Sequence, residues 1–200
     1  GSGGRTAEPS DPRRASTNRS TGTMGGALAE VAVAMGAETT FIHGPISGHG
    51  PAGAERIAIE SAQDMHDAVM ERLPEADALV MAAAVADYRP AARATEKIKK
   101  QAGELRIDLV PTQDILAEAG KRKDRQVLVG FAMETDREKA AGHVRDRIER
   151  KNLDLVALNI IGEEGAGFGV DTNRVTLFSP DGTAEDIPLM SKREVSAHIW

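Results

Sequence analysis

A run of glycines, hydroxyls and amides near the start of the first predicted helix could hold phosphate groups. Its sequence is Asn18-Arg19-Ser20-Thr21-Gly22-Thr23-Met24-Gly25-Gly26. Free backbone N–H groups and the helix dipole favour an anion at a helix N-terminus, and glycine lets a ligand approach the backbone. The spacing matches neither the G-x-G-x-x-G pattern nor the G-x-x-x-x-G-K-[ST] pattern. Ser20 or Thr21 could equally be an ordinary N-cap, with the glycines serving close helix packing.

Two further groups of side chains could neutralise phosphate oxygens. The run Glu96-Lys97-Ile98-Lys99-Lys100 places three ammonium groups in a predicted loop, although lysine-rich loops are often simply solvated. Arg147 and Lys151 are four residues apart on a predicted helix and so share a face, where pairing with neighbouring carboxylates is the alternative. The five histidines show no metal-ligand spacing, which favours packing or surface roles.

Composition excludes several classes of protein. The chain has 200 residues, no cysteine and a formal net charge of -6. The lack of cysteine excludes disulfide scaffolds, thiolate metal sites and thiol nucleophiles. No apolar run approaches the roughly 20 residues of a membrane helix, and the charge and 3% aromatic content do not suit a nucleic-acid surface. Basic side chains nevertheless outnumber acidic ones by six to two in residues 89–106, which favours a small anionic ligand.

Short apolar runs alternate with longer helical patterns, which predicts one α/β domain whose sheet is connected by right-handed crossovers. Several runs are continuously apolar, as parallel strands buried on both faces require. Ser61 and Asp64 have the spacing of a capping box at the second helix. The predicted strands are 39–43, 56–59, 78–83, 105–110, 126–132, 153–158 and 174–178, and the predicted helices are 24–35, 62–73, 114–119, 136–151 and 192–199.

Two features interrupt this alternation. The connections 84–104 and 160–172 are long, and loops of that length in a compact domain are usually functional or mobile. No apolar strand precedes the first helix, so we expect the first strand of the sheet to be missing or altered. Gly1-Ser2 has the composition of an added tail, and no hydrophobic signal segment follows it.

Taken together, these segments resemble the phosphopantothenoylcysteine synthetase family. The resemblance implies a Rossmann-like, doubly wound, mostly parallel sheet over residues 1–200, without the decarboxylase half that accompanies this domain in bacteria. The family usually carries lysine where this chain has Thr23. The matching pieces, in the family's order, are 8–12, Thr17-Asn18-Arg19-Ser20 with Gly22, Met24 and Gly25, 83–90, 96–100, Asp114-Ile115-Leu116, Val129-Gly130-Phe131-Ala132, Lys151-Asn152-Leu153-Asp154, and 165–169 with Asp171-Thr172-Asn173.

The resemblance implies a coenzyme A biosynthesis ligase that joins 4'-phosphopantothenate to L-cysteine with CTP and Mg²⁺, through an acyl-cytidylate. It implies catalytic roles for Asn18 and Lys97 and assigns no metal ligands. Substrate contacts fall to Asn18, Arg19, Ser20, Ala84 and Asn159. The nucleotide would be held by Gly22, Gly25, Met81, Ala82, Ala83, Asp87, Lys97, Gln113, Asp114, Ile115, Leu116, Phe131, Arg147 and Lys151.

The resemblance also implies a cytoplasmic homodimer, with a flavin-dependent decarboxylase as partner domain and with no nucleic-acid or membrane partner. Two other functions stay open from the residues alone. A nucleotide-binding protein of the same family, with another carboxylate substrate or without catalysis, would carry the same motifs. A nicotinamide-dependent dehydrogenase could use the same kind of sheet, although its G-x-G-x-x-G fingerprint is absent. The residues do not decide between CTP and ATP.

Overall fold

A computed structural model describes residues 1–48, 50–100 and 103–200, so His49 and residues 101–102 of the long connection lie outside the described residues. The helices are α1 (Thr23–Ala34), α2 (Ala62–Arg72), α3 (Ile115–Arg122), α4 (Arg137–Lys151) and α5 (Lys192–Ile199). The strands are β1 (Ser2–Gly3), β2 (Ala7–Asp11), β3 (Arg14–Thr17), β4 (Thr40–His43), β5 (Glu55–Ala58), β6 (Ala78–Met81), β7 (Tyr88–Pro90), β8 (Leu109–Pro111), β9 (Val127–Glu134), β10 (Leu155–Ile160), β11 (Thr172–Phe178) and β12 (Ala184–Ser191).

A mostly parallel sheet runs through the centre of the molecule. Within the described ranges its eight strands have the order β12-β11-β10-β9-β6-β1-β4-β5. The strands from β10 to β5 pair in parallel, and β11 and β12 add an antiparallel edge. The chain leaves β1 towards β4 and later returns to β6 on the other side, so the strand order reverses beside β1. This arrangement confirms the predicted doubly wound α/β class, and such a reversal is where these sheets bind ligands.

The helices cover both faces of the sheet, and each face has its own hydrophobic core. Leu28 of α1 and Val195 of α5 pack on one face with Val80 and Val129. The other core contains side chains of α2, α3 and α4. The predicted capping box is present at α2, where Ser61 Oγ accepts from the Asp64 N–H at 3.2 Å. In the described part of the chain, no helix has the length and apolar character needed to cross a membrane.

The sequence predicts that the first strand is missing or altered, and the structure shows that it is present but very short. Ser2 and Gly3 form a two-residue strand at the centre of the sheet, paired with β4 on one side and β6 on the other. The strand lacks an apolar signal because Gly3 has no room for a side chain: a Cβ added there would be 2.6 Å from Phe41 Cε2 of β4 and 3.2 Å from Gly25 Cα of α1. Gly1-Ser2 is therefore part of the sheet's packing, since Ser2 is 2% exposed and its hydroxyl donates to Met81 Sδ at 3.4 Å.

Two small antiparallel sheets lie outside the central one. β2 pairs with β3, and β7 pairs with β8. The prediction of a strand over residues 105–110 in the central sheet was wrong. Only its last residues form a strand, β8, which pairs with β7 outside the central sheet. The buried carboxylate of Asp11 joins the lysine-rich loop to β2, since Asp11 Oδ2 accepts from the Ile98 N–H at 3.0 Å.

His66 gives the fold a predicted dependence on pH. Burial alone would lower the pKa of this histidine, but its hydrogen bonds to Asp67 and Glu118, both 2.8 Å, raise that pKa above its ordinary value. Because the folded state holds this proton more tightly, the stabilisation is complete below about pH 6.5 and is lost as pH rises through the raised pKa.

We therefore expect the free energy of unfolding of the unmodified chain to fall as the pH rises from about 6.5 through the raised pKa of His66. We expect His66→Gln to remove this part of the pH dependence. Denaturant titrations at several pH values, followed by the fluorescence of Trp200, measure how the free energy of unfolding of each protein changes with pH. Parallel curves for the two proteins would contradict this role of His66.

Candidate functional site

A cavity of about 660 Å³ opens at the carboxyl edge of the central sheet, where the strand order reverses. Its walls come from the segment before α1, the segment after β6, the turn before α3, the helix α4, the strands β9, β10 and β11, the segment before β11 and the start of α5. These segments are far apart in the sequence. The sheet brings them together because the carboxyl ends of its parallel strands lie at one edge.

The start of α1 supplies backbone N–H groups to this cavity. Gly22 is the N-cap residue in a left-handed conformation (φ 80°), and no side chain caps the helix. The first N–H groups of a helix have no intrahelical partner, so they are free to donate to a ligand. Gly25 lets the helix approach β1, because a Cβ there would lie 2.6 Å from Gly3 Cα and from the Ser2 carbonyl oxygen. The alternative of an ordinary Ser20 or Thr21 cap is thus not what the structure shows.

The segment after β6 is fixed by the N-terminal residues that follow β1. Ala84 N–H donates to the Gly4 carbonyl at 2.9 Å, and Ala86 N–H donates to Thr6 Oγ1 at 2.9 Å. Asn18 Nδ2 reaches the same segment and donates to the Ala84 carbonyl at 3.0 Å. Asn18 is exposed and lines the cavity, so its amide is available to a bound substrate.

The predicted cationic pair on α4 faces the cavity. Lys151 Nζ lies 2.8 Å from Asp114 Oδ2, and Arg147 Nη1 donates to the Phe131 carbonyl at 3.2 Å. Partial burial would raise the pKa of Asp114, but the Lys151 ammonium and the Ala117 N–H hold that pKa below its ordinary value. Lys151 therefore does form an ion pair, with Asp114, the N-cap residue of α3, and this pair fixes Lys151 against the cavity wall.

Four polar residues of the wall are buried: Ser20, Asn159, Asn173 and Lys192. No role was predicted from the sequence for Asn173 or Lys192. Lys192 is 5% exposed, and its Nζ donates to Thr23 Oγ1 at 2.7 Å and to the Gly167 carbonyl at 3.1 Å. Burial lowers the pKa of the Lys192 ammonium, although Asp171 opposes that shift. Among the described residues, the buried Oδ1 atoms of Asn159 and Asn173 accept no hydrogen bond.

The structure brings most of the predicted site residues together and leaves two outside. Arg19 and Lys97 are exposed and are not part of the cavity lining, so their roles stay predictions from the resemblance. The predicted residues that line the cavity are Asn18, Ser20, Gly22, Gly25, Met81, Ala82, Ala83, Ala84, Asp87, Gln113, Asp114, Ile115, Leu116, Phe131, Arg147, Lys151 and Asn159.

The cavity offers few groups to a metal ion. Asp87 and Asp114 are the carboxylates among the described residues that line it. No group of three or more His, Cys, Asp or Glu residues in the described ranges has the arrangement of a metal site. This donor set fits Mg²⁺, which commonly uses one or two carboxylates, retains several waters and takes its other ligands from substrate phosphates.

The fold and the site define a Rossmann-like α/β domain with a cationic ligand cavity at the switch point of its sheet. The chain belongs to the family described as DNA/pantothenate metabolism flavoprotein C-terminal domain, whose model matches residues 2–200. It is 46% identical over 197 residues to the coenzyme A biosynthesis bifunctional protein CoaBC of Bacillus subtilis (strain 168), covering 98% of this chain and 48% of that protein. The chain thus spans about half the length of this relative.

Solved structures agree with this assignment. The crystal structure of the C-terminal domain of a coenzyme A biosynthesis bifunctional protein CoaBC is similar with a TM-score of 0.81 and 38% identity, covering 99% of this chain and 89% of that one. A Cab2 mutant in complex with phosphopantothenate-cysteine has a TM-score of 0.78, with 99% and 83% coverage. Its identity is 17%, so that likeness concerns the fold.

Proposed function

We propose that this chain is a CTP-dependent ligase that joins 4'-phosphopantothenate to L-cysteine. The observation that carries the proposal is the cavity, which unites Asn18, the uncapped start of α1 and the cations Arg147 and Lys151. A nucleoside triphosphate needs several donors and positive charges around its phosphates. The names of the relatives support coenzyme A biosynthesis as the context, and the Cab2 complex supports phosphopantothenate-cysteine as the product.

The proposed reaction has two steps. The carboxylate oxygen of phosphopantothenate attacks the α-phosphorus of CTP, which forms the acyl-cytidylate and releases pyrophosphate. The cysteine amine then attacks the acyl carbon; the C–N bond forms, the C–O bond to CMP breaks, and the amine loses a proton. Neither step needs a protein nucleophile, which agrees with a chain that has no cysteine.

The residues of the cavity have distinct tasks in this scheme. The N–H groups at the start of α1 and the cations of α4 bind phosphate oxygens and stabilise the charge that develops on departing pyrophosphate. Asn18 Nδ2 holds the oxygens of the mixed anhydride during the second step. Magnesium bound to the phosphates would supply further charge neutralisation, with Asp87 as its protein ligand, since the Asp114 carboxylate is engaged by Lys151 and the Ala117 N–H. The orphan Oδ1 of Asn159 is suited to a hydroxyl or amino group of the substrates.

The assembly is also part of the proposal. Tyr88, Leu105, Ile107 and Leu109 are between 42% and 61% exposed on and next to β7 and β8, an apolar surface that supports the proposed homodimer. Sedimentation at micromolar concentration would show a 21.2 kDa monomer if this surface does not pair. The flavin-dependent decarboxylase remains the proposed partner domain and the cytoplasm the proposed location, both from the resemblance.

Nucleotide preference gives the first test. We expect CTP with magnesium to raise the melting temperature more than ATP or NADPH does, because only a ligand of the native state stabilises it. At 100 times its Kd the shift should be roughly 5 to 10 °C for a domain of this size. Differential scanning fluorimetry measures the three shifts side by side. A larger shift with NADPH would overturn the ligase in favour of a dehydrogenase.

A second test separates catalysis from binding alone. Pyrophosphate release is measured with CTP, phosphopantothenate and cysteine, and the amide product is measured in the same samples. A protein that has lost catalysis would show the CTP-dependent shift in melting temperature without releasing pyrophosphate. A protein with another carboxylate substrate would release no pyrophosphate with phosphopantothenate, but it would release pyrophosphate when that other carboxylate is supplied instead.

A further inference from the structure

Lys192 places a buried positive charge at the wall of the cavity, and none of the described residues forms an ion pair with it, although Asp171 lies near enough to raise the pKa of its ammonium group. Its two hydrogen-bond acceptors, Thr23 Oγ1 and the Gly167 carbonyl, are neutral oxygens. The side chain is buried, since the residue is 5% exposed, and it contributes to the lining of the cavity. A desolvated charge of this kind gains most from an anionic ligand.

A second observation at the same place points to a ligand. Asn173 is 3% exposed, its Oδ1 accepts no hydrogen bond among the described residues, and it lines the same cavity. Its Nδ2 donates to a weak acceptor, Met24 Sδ, at 3.8 Å in the first turn of α1. Asn173 and Lys192 thus converge on one spot, the uncapped N-terminus of α1, from β11 and from α5.

Lys192 approaches the cavity from a different side than the cations already assigned. α1 and α5 pack on one face of the central sheet, whereas α4, which carries Arg147 and Lys151, packs on the other. Positive charge is therefore available on both sides of a ligand that crosses the carboxyl edge of the sheet. A chain of three phosphates is long enough to engage more than one of these groups.

We propose that Lys192 is a phosphate-binding residue that supplies, from α5, the positive charge of the anion site at the start of α1. This inference rests on the proposed nucleotide-binding function and deepens it. Because Lys192 Nζ lies 2.7 Å from Thr23 Oγ1, a lysine at position 23 could place its ammonium in the same region of the cavity. A lysine at either position 23 or position 192 could thus supply the positive charge of this site.

The test compares Lys192→Gln with Arg193→Gln. Arg193 is the next residue of α5 and is exposed, so the control loses the same charge on the same helix. Calorimetry measures the binding of CTP, CMP and cytidine, and Trp200 fluorescence reports whether each variant is folded. We expect Lys192→Gln to weaken CTP binding by roughly 10- to 150-fold, the range for one charge-assisted hydrogen bond. Cytidine binding should be unchanged, and Arg193→Gln should alter CTP binding less than about twofold.

The double variant Thr23→Lys with Lys192→Gln should recover most of the lost affinity, which a merely structural role of Lys192 would not allow. Equal weakening of CTP and cytidine, or no weakening of CTP, would overturn the proposal. Inorganic tripolyphosphate serves as a probe that does not depend on the ligase. If the unmodified chain binds tripolyphosphate but not CTP, the proposed function fails, and tripolyphosphate binding by Lys192→Gln still decides the role of Lys192.

Discussion

Asn18→Ala should slow formation of the amide by about 10²- to 10³-fold while leaving pyrophosphate release from CTP and phosphopantothenate largely intact. The Asn18 amide lines the cavity, and its Nδ2 lies beside the segment that follows β6, held by the Ala84 carbonyl at 3.0 Å. In that position it can donate to the mixed anhydride in the second step. The cations of α4 would continue to support departure of pyrophosphate in the first. Quenched-flow experiments that separate acyl-cytidylate from amide measure the two rates.

Thr17→Val is the matched control for this prediction. Thr17 Oγ1 donates to the Thr6 carbonyl at 2.7 Å, so the control also removes a hydrogen bond that holds the end of β3 to the N-terminal segment. Thr17 does not line the cavity. We expect Thr17→Val to leave the ratio of the two rates unchanged. If Asn18→Ala slows both steps equally, Asn18 only structures the loop and the assigned role is wrong.

Gly25→Ala should lower the free energy of unfolding by about 1 to 3 kcal/mol, the usual cost of overpacking a close contact. A Cβ at this position would lie 2.6 Å from Gly3 Cα and from the Ser2 carbonyl oxygen. Both are backbone atoms, which cannot move aside without shifting α1 or the central strand. Since the start of α1 also forms the proposed anion site, we expect CTP affinity to fall together with stability.

Gly26→Ala is the neighbouring control on the same helix. A Cβ there would meet nothing within 4 Å. Alanine favours a helix interior over glycine by roughly 0.5 to 1 kcal/mol, so this variant should be neutral or slightly more stable. Chemical denaturation followed by Trp200 fluorescence gives both values. Similar changes for the two variants would show that the contact between α1 and β1 does not restrict position 25.

The parallel strands and the helices were predictable because their burial leaves a clear pattern. The strands β6, β9 and β10 are buried on both faces and are apolar in sequence, and α2 begins at a visible capping box. The first strand left no such pattern. It consists of Ser2 and Gly3, and its place in the sheet depends on a helix approaching a glycine, which is a tertiary contact.

The edge strand β12 escaped prediction for a different reason. It contains Pro188, and most of its residues are exposed, as an edge strand permits. The hairpin of β2 and β3 was missed as well, since all four residues of β3 are exposed and polar or small. Neither segment has the apolar alternation from which a strand is predicted.

The site residues also divide into those that local sequence patterns indicate and those that only the tertiary structure brings into the cavity. Glycines and cations near recognisable motifs indicated Gly22, Gly25, Arg147 and Lys151, which line the cavity. Lys192 lies 169 residues from the Thr23 hydroxyl that it contacts, so no local spacing could connect the two. One signal was nevertheless present: a lysine in the first turn of a helix is unfavourable for the helix dipole, which indicates that its charge interacts with groups outside the helix.

Detection of the intermediate tests the ligase reaction most directly. The protein is incubated with CTP, magnesium and phosphopantothenate, cysteine is left out, and the quenched mixture is analysed by mass spectrometry. The account predicts an acyl-cytidylate of phosphopantothenate and CMP that forms together with pyrophosphate and is consumed when cysteine is added, yielding the amide. Amide formation without this intermediate, or CTP binding with neither intermediate nor pyrophosphate, would contradict it.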